Sequence, residues 1–201
     1  MKRILFTESQ LKRIMGEAID ELELYHGSRA DFNQFDLAYL STGWGQQAHG
    51  YGIYLTNDYE TAKEYSIGGK IYTVEVPDSG YLNDRSITMS EKQKIANKLF
   101  RYFTEEDEER KLSYPDNDTK QCLWDYEIKS ILNCNTGEDV YGTISSLMGD
   151  DKETSEFLRK LGYIGLKVTD ERFKTTTYII FNANDIKIIK KEKMVWIEKF
   201  I

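Results

Sequence analysis

Strand-like alternation occupies both ends of this chain, and helical spacing fills its middle. Before the middle, residues 23–28 (ELYHGS), Ile53–Thr56 and residues 70–76 (KIYTVEV) read as strands, the last stopped by Pro77. After it, residues 163–168 (YIGLKV), 178–182 (YIIFN) and 186–189 read as strands again. Between about 86 and 161, four apolar groups recur at helical spacing. They are Ile95, Leu99, Phe100 and Phe103 behind a Ser90 cap, then Leu123, Ile128, Ile131 and Leu132, then Val140, Ile144, Leu147 and Met148, then Phe157, Leu158 and Leu161. The run TEEDEER reads as a charged, solvated end of the first of these helices. The expected fold class is α+β: short strands around a cleft, with a helical insertion at about 86–161 inside a domain spanning 23–201.

Two further segments frame that domain. Residues 7–22 read as an amphipathic helix, with Thr7 and Gln10 as a capping box and Leu11, Ile14, Met15, Ala18, Ile19 and Leu22 on one face. That face either packs on the domain's own core or docks a partner chain, an antitoxin among the candidates. Residues 36–52 carry Gly43, Gly45, Gly50 and Gly52, which predicts a long loop whose backbone approaches a ligand or takes positive φ. The spacing is not that of a Rossmann dinucleotide fingerprint. A helix over Tyr59–Ser66 follows, capped by Asn57 or Asp58 and broken at Gly68-Gly69.

Composition narrows the function classes. A net charge of -7 gives no general footprint for nucleic acid, and Lys187, Lys190, Lys191 and Lys193 read as the solvated face of a last strand and its tail. The two cysteines, Cys122 and Cys134, and the two histidines lack ligand spacing, so no metal site is expected. The cysteines fit a reducing compartment, with one disulfide left open. The opening MKRILFTESQ has no signal-peptide apolar core, and no stretch is long enough to span a bilayer. A cytoplasmic protein with no membrane partner is expected.

Three segments carry a family resemblance: Tyr25-His26-Gly27-Ser28-Arg29, then Gly50-Tyr51-Gly52-Ile53-Tyr54 continuing to Tyr65, then Thr177-Tyr178-Ile179-Ile180-Phe181-Asn182. In this order they resemble the catalytic core of ADP-ribosyltransferases of the poly(ADP-ribose) polymerase and diphtheria toxin type. The resemblance covers about half the chain and looks closest to small bacterial or phage members, which is consistent with a toxin or phage-conflict effector. It implies an ADP-ribosyltransferase fold, a short-stranded split β core around an NAD cleft, with NAD as co-substrate and no metal.

The chemistry explains the residue types. Breaking the bond between nicotinamide and ribose passes through an oxocarbenium-like state, as glycoside cleavage does. Two tyrosines can sandwich the cationic ring; by resemblance these are Tyr54 and Tyr65. By resemblance also, the Gly27 backbone hydrogen-bonds the carboxamide, His26 and Ser28 hold the adenosine and nicotinamide ribose hydroxyls, and His26, Tyr54 and Thr177 occupy the three catalytic positions. Each has a plainer reading as a core histidine, a core aromatic or a bend. His49 either covers the ligand within the glycine-rich loop or sits on the surface.

Two departures matter. Thr177 stands where the family has a glutamate, and a lost preorganised charge costs on the order of 2.7–4 kcal/mol. Relatives lacking it transfer a single unit, so the resemblance implies mono-ADP-ribosylation of a macromolecule; the acidic net charge favours protein as the acceptor and leaves a nucleic-acid acceptor open. It leaves open an inactive NAD or ADP-ribose binder, an NAD glycohydrolase, and a carboxylate supplied by Asp170, Glu171 or the acceptor. Ala62 replaces a serine that bonds the nicotinamide amide, a loss of roughly 0.5–1.5 kcal/mol. The segment Thr169–Thr176 corresponds to an acceptor-contacting loop, with Glu171, Arg172, Phe173 and Lys174 as candidates; the alternative is an ordinary hairpin loop.

Overall fold

The structure is a computed structural model, and it describes residues 21–40, 47–83, 86–172 and 174–194. The expected helix over 7–22 therefore lies outside the described residues, except for Glu21 and Leu22, which begin a strand instead. Phe173 and Gly43 and Gly45 of the loop also lie outside them.

The chain divides into two compact units, one made of residues up to 82 together with those from 155 onward, the other of residues 83–154. The strands are β1 (Glu21–Ser28), β2 (Ile53–Thr56), β3 (Lys70–Pro77), β4 (Tyr81–Asn83), β5 (Gly165–Asp170), β6 (Thr175–Ile180) and β7 (Lys187–Lys193). They form one seven-stranded sheet in the order β4-β5-β6-β2-β1-β3-β7. The α+β class holds. Where the sequence reading expects a split β core, the ladder is continuous, although thin at one seam. Strands β1 and β2 share a single partner pair, Tyr25 with Thr56.

Alternation decides which side of the sheet is core. Leu24, Ile53, Leu55, Tyr72, Val74, Val76, Tyr178 and Ile180 share one face and join one buried cluster with Phe35 and Ile164. Helix α1 (Tyr59–Ser66) packs on the other face. Its Asp58 cap accepts hydrogen bonds from the Thr61 amide at 2.7 Å and the Thr61 hydroxyl at 2.6 Å, and these bonds hold the Asp58 carboxyl below the usual range. Close packing of α1 depends on Gly27. A Cβ there would stand 1.8 Å from the Ala62 carbonyl oxygen.

Edge strand β7 resolves the lysine cluster. Lys187 pairs with Glu75 at 2.6 Å, Lys190 with Glu192 at 3.0 Å and Lys191 with Asp31 at 3.5 Å. Lysines along an edge also discourage pairing with another chain.

The second unit contains α2 (Met89–Arg101), α3 (Asn117–Tyr126) and α4 (Gly137–Met148). Helix α5 (Asp151–Lys160) starts in this unit and ends in the first. The cap of α2 is Thr88 in a capping box with Glu91, not Ser90, which lies inside the helix. Leu123 belongs to α3, whereas Ile128, Ile131 and Leu132 belong to a separate 3-10 stretch, Ile128–Asn133. The acidic run is only partly a solvated face. Arg110 bonds Glu153 at 2.8 Å and the Met148 carbonyl at 2.9 Å, and the Tyr102 hydroxyl donates to Glu153 at 3.0 Å. Burial first, then that bond to a carboxylate, pushes Tyr102 up to about 12.

Candidate functional site

The three motif segments are far apart in the chain and adjacent in the sheet. His26, Gly27 and Ser28 end β1, Tyr54 sits in β2, and Thr177 sits in β6, so the motifs occupy the neighbours β6-β2-β1. Tyr65 lies on α1, which follows β2 directly, and is 55% exposed.

Strand β2 is locked on its β6 side. Ile53, Tyr54, Leu55 and Thr56 pair with Ile180, Ile179, Tyr178 and Thr177 in turn. Asn57 extends this ladder by one step: its amide donates to the Thr176 carbonyl at 3.2 Å, and its side-chain oxygen accepts from the Thr176 amide at 2.8 Å. Thr177 is therefore held in register from both sides, opposite Thr56 on β2 and Val168 on β5.

On the β1 side the ladder gives way to a side chain. Just past the Tyr25–Thr56 pair, His26 Nδ1 lies 2.8 Å from the Tyr54 carbonyl oxygen. A carbonyl only accepts, so Nδ1 carries the proton, and the neutral ring leaves Nε2 as an acceptor. The ring is half-buried among Phe35, Phe32 and Tyr72, with centroids at 5.1, 6.2 and 6.3 Å. Burial pulls His26 below the ordinary histidine value, only partly offset by the bond to Tyr54.

Alternation then separates the candidates. Gly27, Tyr54 and Thr177 belong to the face that carries α1, and His26 belongs to the face of the buried cluster. The backbone at the seam brings His26 and Tyr54 together; their side chains do not share a face. Gly27 also has a structural requirement that the sequence did not reveal, the α1 contact.

The glycine-rich turn is tied down at Tyr54. The Tyr54 hydroxyl accepts from the His49 amide at 2.9 Å and donates to the Gly50 carbonyl at 2.9 Å. Gly52 presses on β6, where a Cβ would stand 2.6 Å from an Ile179 methyl and 2.8 Å from the Ile180 carbonyl oxygen. The sequence assigns these contacts no anchoring role and offers Asn57 only as a cap, a place that Asp58 takes. The Asn-Asp pair before α1 was the available signal for Asn57, and it reads equally well as a choice of caps.

The hairpin between β5 and β6 carries Glu171 and Arg172 at an exposed tip. Asp170 is engaged there: Arg172 bonds both of its oxygens, at 3.2 and 2.9 Å. Ser28 Oγ accepts from the Ala30 amide at 3.2 Å. On the buried-cluster side, an open groove of about 420 Å³ runs between Phe35–Tyr39 and Asn182–Asn184; it is lined by Asn182, the last residue of the third motif, and, among the described residues, by none of the candidate catalytic or NAD-binding residues.

Both cysteines are free thiols, Cys122 exposed and Cys134 buried. Among the described residues no three His, Cys, Asp or Glu are grouped to hold a metal ion, and no helix is long and apolar enough to cross a membrane.

No family model and no curated protein matches this chain. Among solved structures it is similar to one described as "Crystal structure of an anti-CRISPR protein". The TM-score is 0.37 with 16% identity, covering 87% of this chain and 96% of that one. A likeness that loose carries nothing about activity.

Proposed function

We propose that this protein is an NAD-dependent mono-ADP-ribosyltransferase acting on a macromolecule, with protein as the acceptor class. One observation carries the reading. Three motifs remote in sequence become the adjacent strands β6-β2-β1, and the ladder between β1 and β2 is reduced to one pair where His26, Gly27 and Tyr54 meet. A seam of this kind exposes peptide edges of the sort that recognise a carboxamide.

In this reading the Gly27 backbone and the Tyr54 and Tyr65 rings grip nicotinamide, and the neutral Nε2 of His26 accepts a ribose hydroxyl. The bond from the anomeric carbon to the nicotinamide nitrogen breaks and its electron pair leaves with nicotinamide. An acceptor oxygen or nitrogen then bonds the anomeric carbon and releases a proton. Thr177 offers a hydroxyl without charge, and its ladder partners Thr56 and Val168 supply none either. That favours transfer of one unit. It also supports the second reading, a module that binds NAD without turnover.

The test is incubation with radiolabelled NAD and a cell lysate, comparing the wild-type protein with Tyr54→Ala. Label on protein that depends on Tyr54 is expected. Folded protein that binds NAD yet yields neither label nor nicotinamide would leave the binding module. Nicotinamide without labelled macromolecule would make it a glycohydrolase, and labelled nucleic acid would change the acceptor class.

A further inference from the structure

Thr154 and Ser155 are neighbours on α5, both buried, at 0% and 1% exposure. A buried hydroxyl in a helix ordinarily bonds back to the carbonyl one turn earlier. Thr154 does so, donating to the Asp150 carbonyl at 2.8 Å. Ser155 instead donates outward, to the Tyr51 carbonyl at 2.7 Å, across 104 residues of chain. That carbonyl belongs to the peptide joining Tyr51 to Gly52, inside the Gly-Tyr-Gly-Ile-Tyr turn.

The turn is thus fixed from three directions. The Tyr54 hydroxyl ties down His49 and Gly50, β6 backs Gly52, and α5 holds Tyr51. The first two anchors come from the motif strands themselves. The bond from Ser155 reaches the turn from α5, an element that the motifs do not include.

We infer that Ser155 is a positioning residue, which holds the Tyr51–Tyr54 turn in the conformation that receives the nicotinamide end of NAD. The inference about NAD rests on the proposed transferase or NAD-binding reading; the anchoring of the turn does not.

The test uses the full chain as wild type, Ser155→Ala and Ser155→Thr, with hydrogen–deuterium exchange measured without NAD and steady-state nicotinamide release measured with it. Losing one hydrogen bond of about 1–1.5 kcal/mol should speed exchange over residues 49–54 by about tenfold in the alanine variant and leave β3 unchanged. KM for NAD should rise about fivefold or more while kcat stays within about twofold, because the lost contact orders the bound ground state and the transition state alike. Threonine keeps the donor and should restore both quantities.

Unchanged exchange over 49–54 would overturn the inference. So would an acceleration shared equally with β3, an alanine variant that does not fold, or a loosened turn with unchanged KM. If the wild-type protein neither binds nor turns over NAD, the functional reading fails and takes the NAD part of the inference with it. Exchange would still decide whether Ser155 anchors the turn.

Discussion

Strand β2 meets its two neighbours on different terms. Toward β6 it is zipped through four partner pairs, Ile53 with Ile180 to Thr56 with Thr177, and Asn57 adds a side-chain rung. Toward β1 it keeps one pair, Tyr25 with Thr56, and then a bond from the His26 ring to the Tyr54 carbonyl. The first seam is a rigid ruler that sets where Thr177 and Tyr54 stand relative to each other. The second is a place where a sheet has been opened without being cut, because an imidazole replaces a backbone donor. Under the proposed reading the NAD site uses both: β2 is fixed on its far side and left largely unpaired on its near side.

The largest break in this arrangement is expected at Gly27. Valine there would drive its Cβ into backbone, since even the first carbon would sit 1.8 Å from the Ala62 carbonyl oxygen. Helix α1 would have to lift off β1, taking Tyr65 with it. Gly27→Val should cost about 3 kcal/mol or more, the upper range for overpacking, read as a shift in the urea midpoint. A variant as stable as the wild type would mean that α1 can slide, and that the close contact is not what demands glycine.

The locked seam should break less severely. Asn57→Ala removes the acceptor for the Thr176 amide on a residue that is only 8% exposed. An unsatisfied buried donor costs about 1–3 kcal/mol. Asn57→Asp keeps an acceptor at the same place and should recover most of that loss in the same urea titration. If alanine and aspartate behave alike, the rung contributes nothing and the four backbone pairs alone set the register.

The sequence revealed the parts of this contrast that repeat along the chain. Lys70–Val76 and Tyr59–Ser66 were legible because alternation and helical spacing persist over several residues, and Asp58 because caps have a narrow residue preference. Strand β4 was not, since Tyr81–Asn83 has too few residues to show a period. The boundaries of β5 and β6 moved toward the hairpin, where Thr169 and Thr175 extend pairing that apolar residues had suggested would stop sooner. His26, Gly27, Tyr54 and Thr177 are candidates by motif alone. What no motif could show was which side chains share a face, because that depends on register between strands remote in sequence, Tyr25 with Thr56 and Thr56 with Thr177. Ser155 and Asn57 were illegible for the same reason: each matters through one long-range bond, and neither repeats a pattern.

The open seam gives the smallest and most specific effect, through pH. In the folded protein burial holds His26 below its ordinary value, so the unfolded chain takes up that proton first as the solution is acidified. The contribution of a neutral His26 is therefore complete above the unfolded histidine value of about 6.5 and is lost as pH falls below it, toward the lower folded value. The bond to Tyr54 opposes this only in part; the larger cost lies in bringing a charge among Phe32, Phe35 and Tyr72. His26→Asn keeps an N–H donor and removes the titration. Urea midpoints measured from about pH 7.5 down to about 5.5 should fall more steeply for the wild type than for His26→Asn. All other titrating groups are common to both proteins, so the difference between the two slopes isolates this ring. Parallel slopes would mean that the ring takes up its proton as easily in the fold as out of it, and that the seam is already open to water around His26.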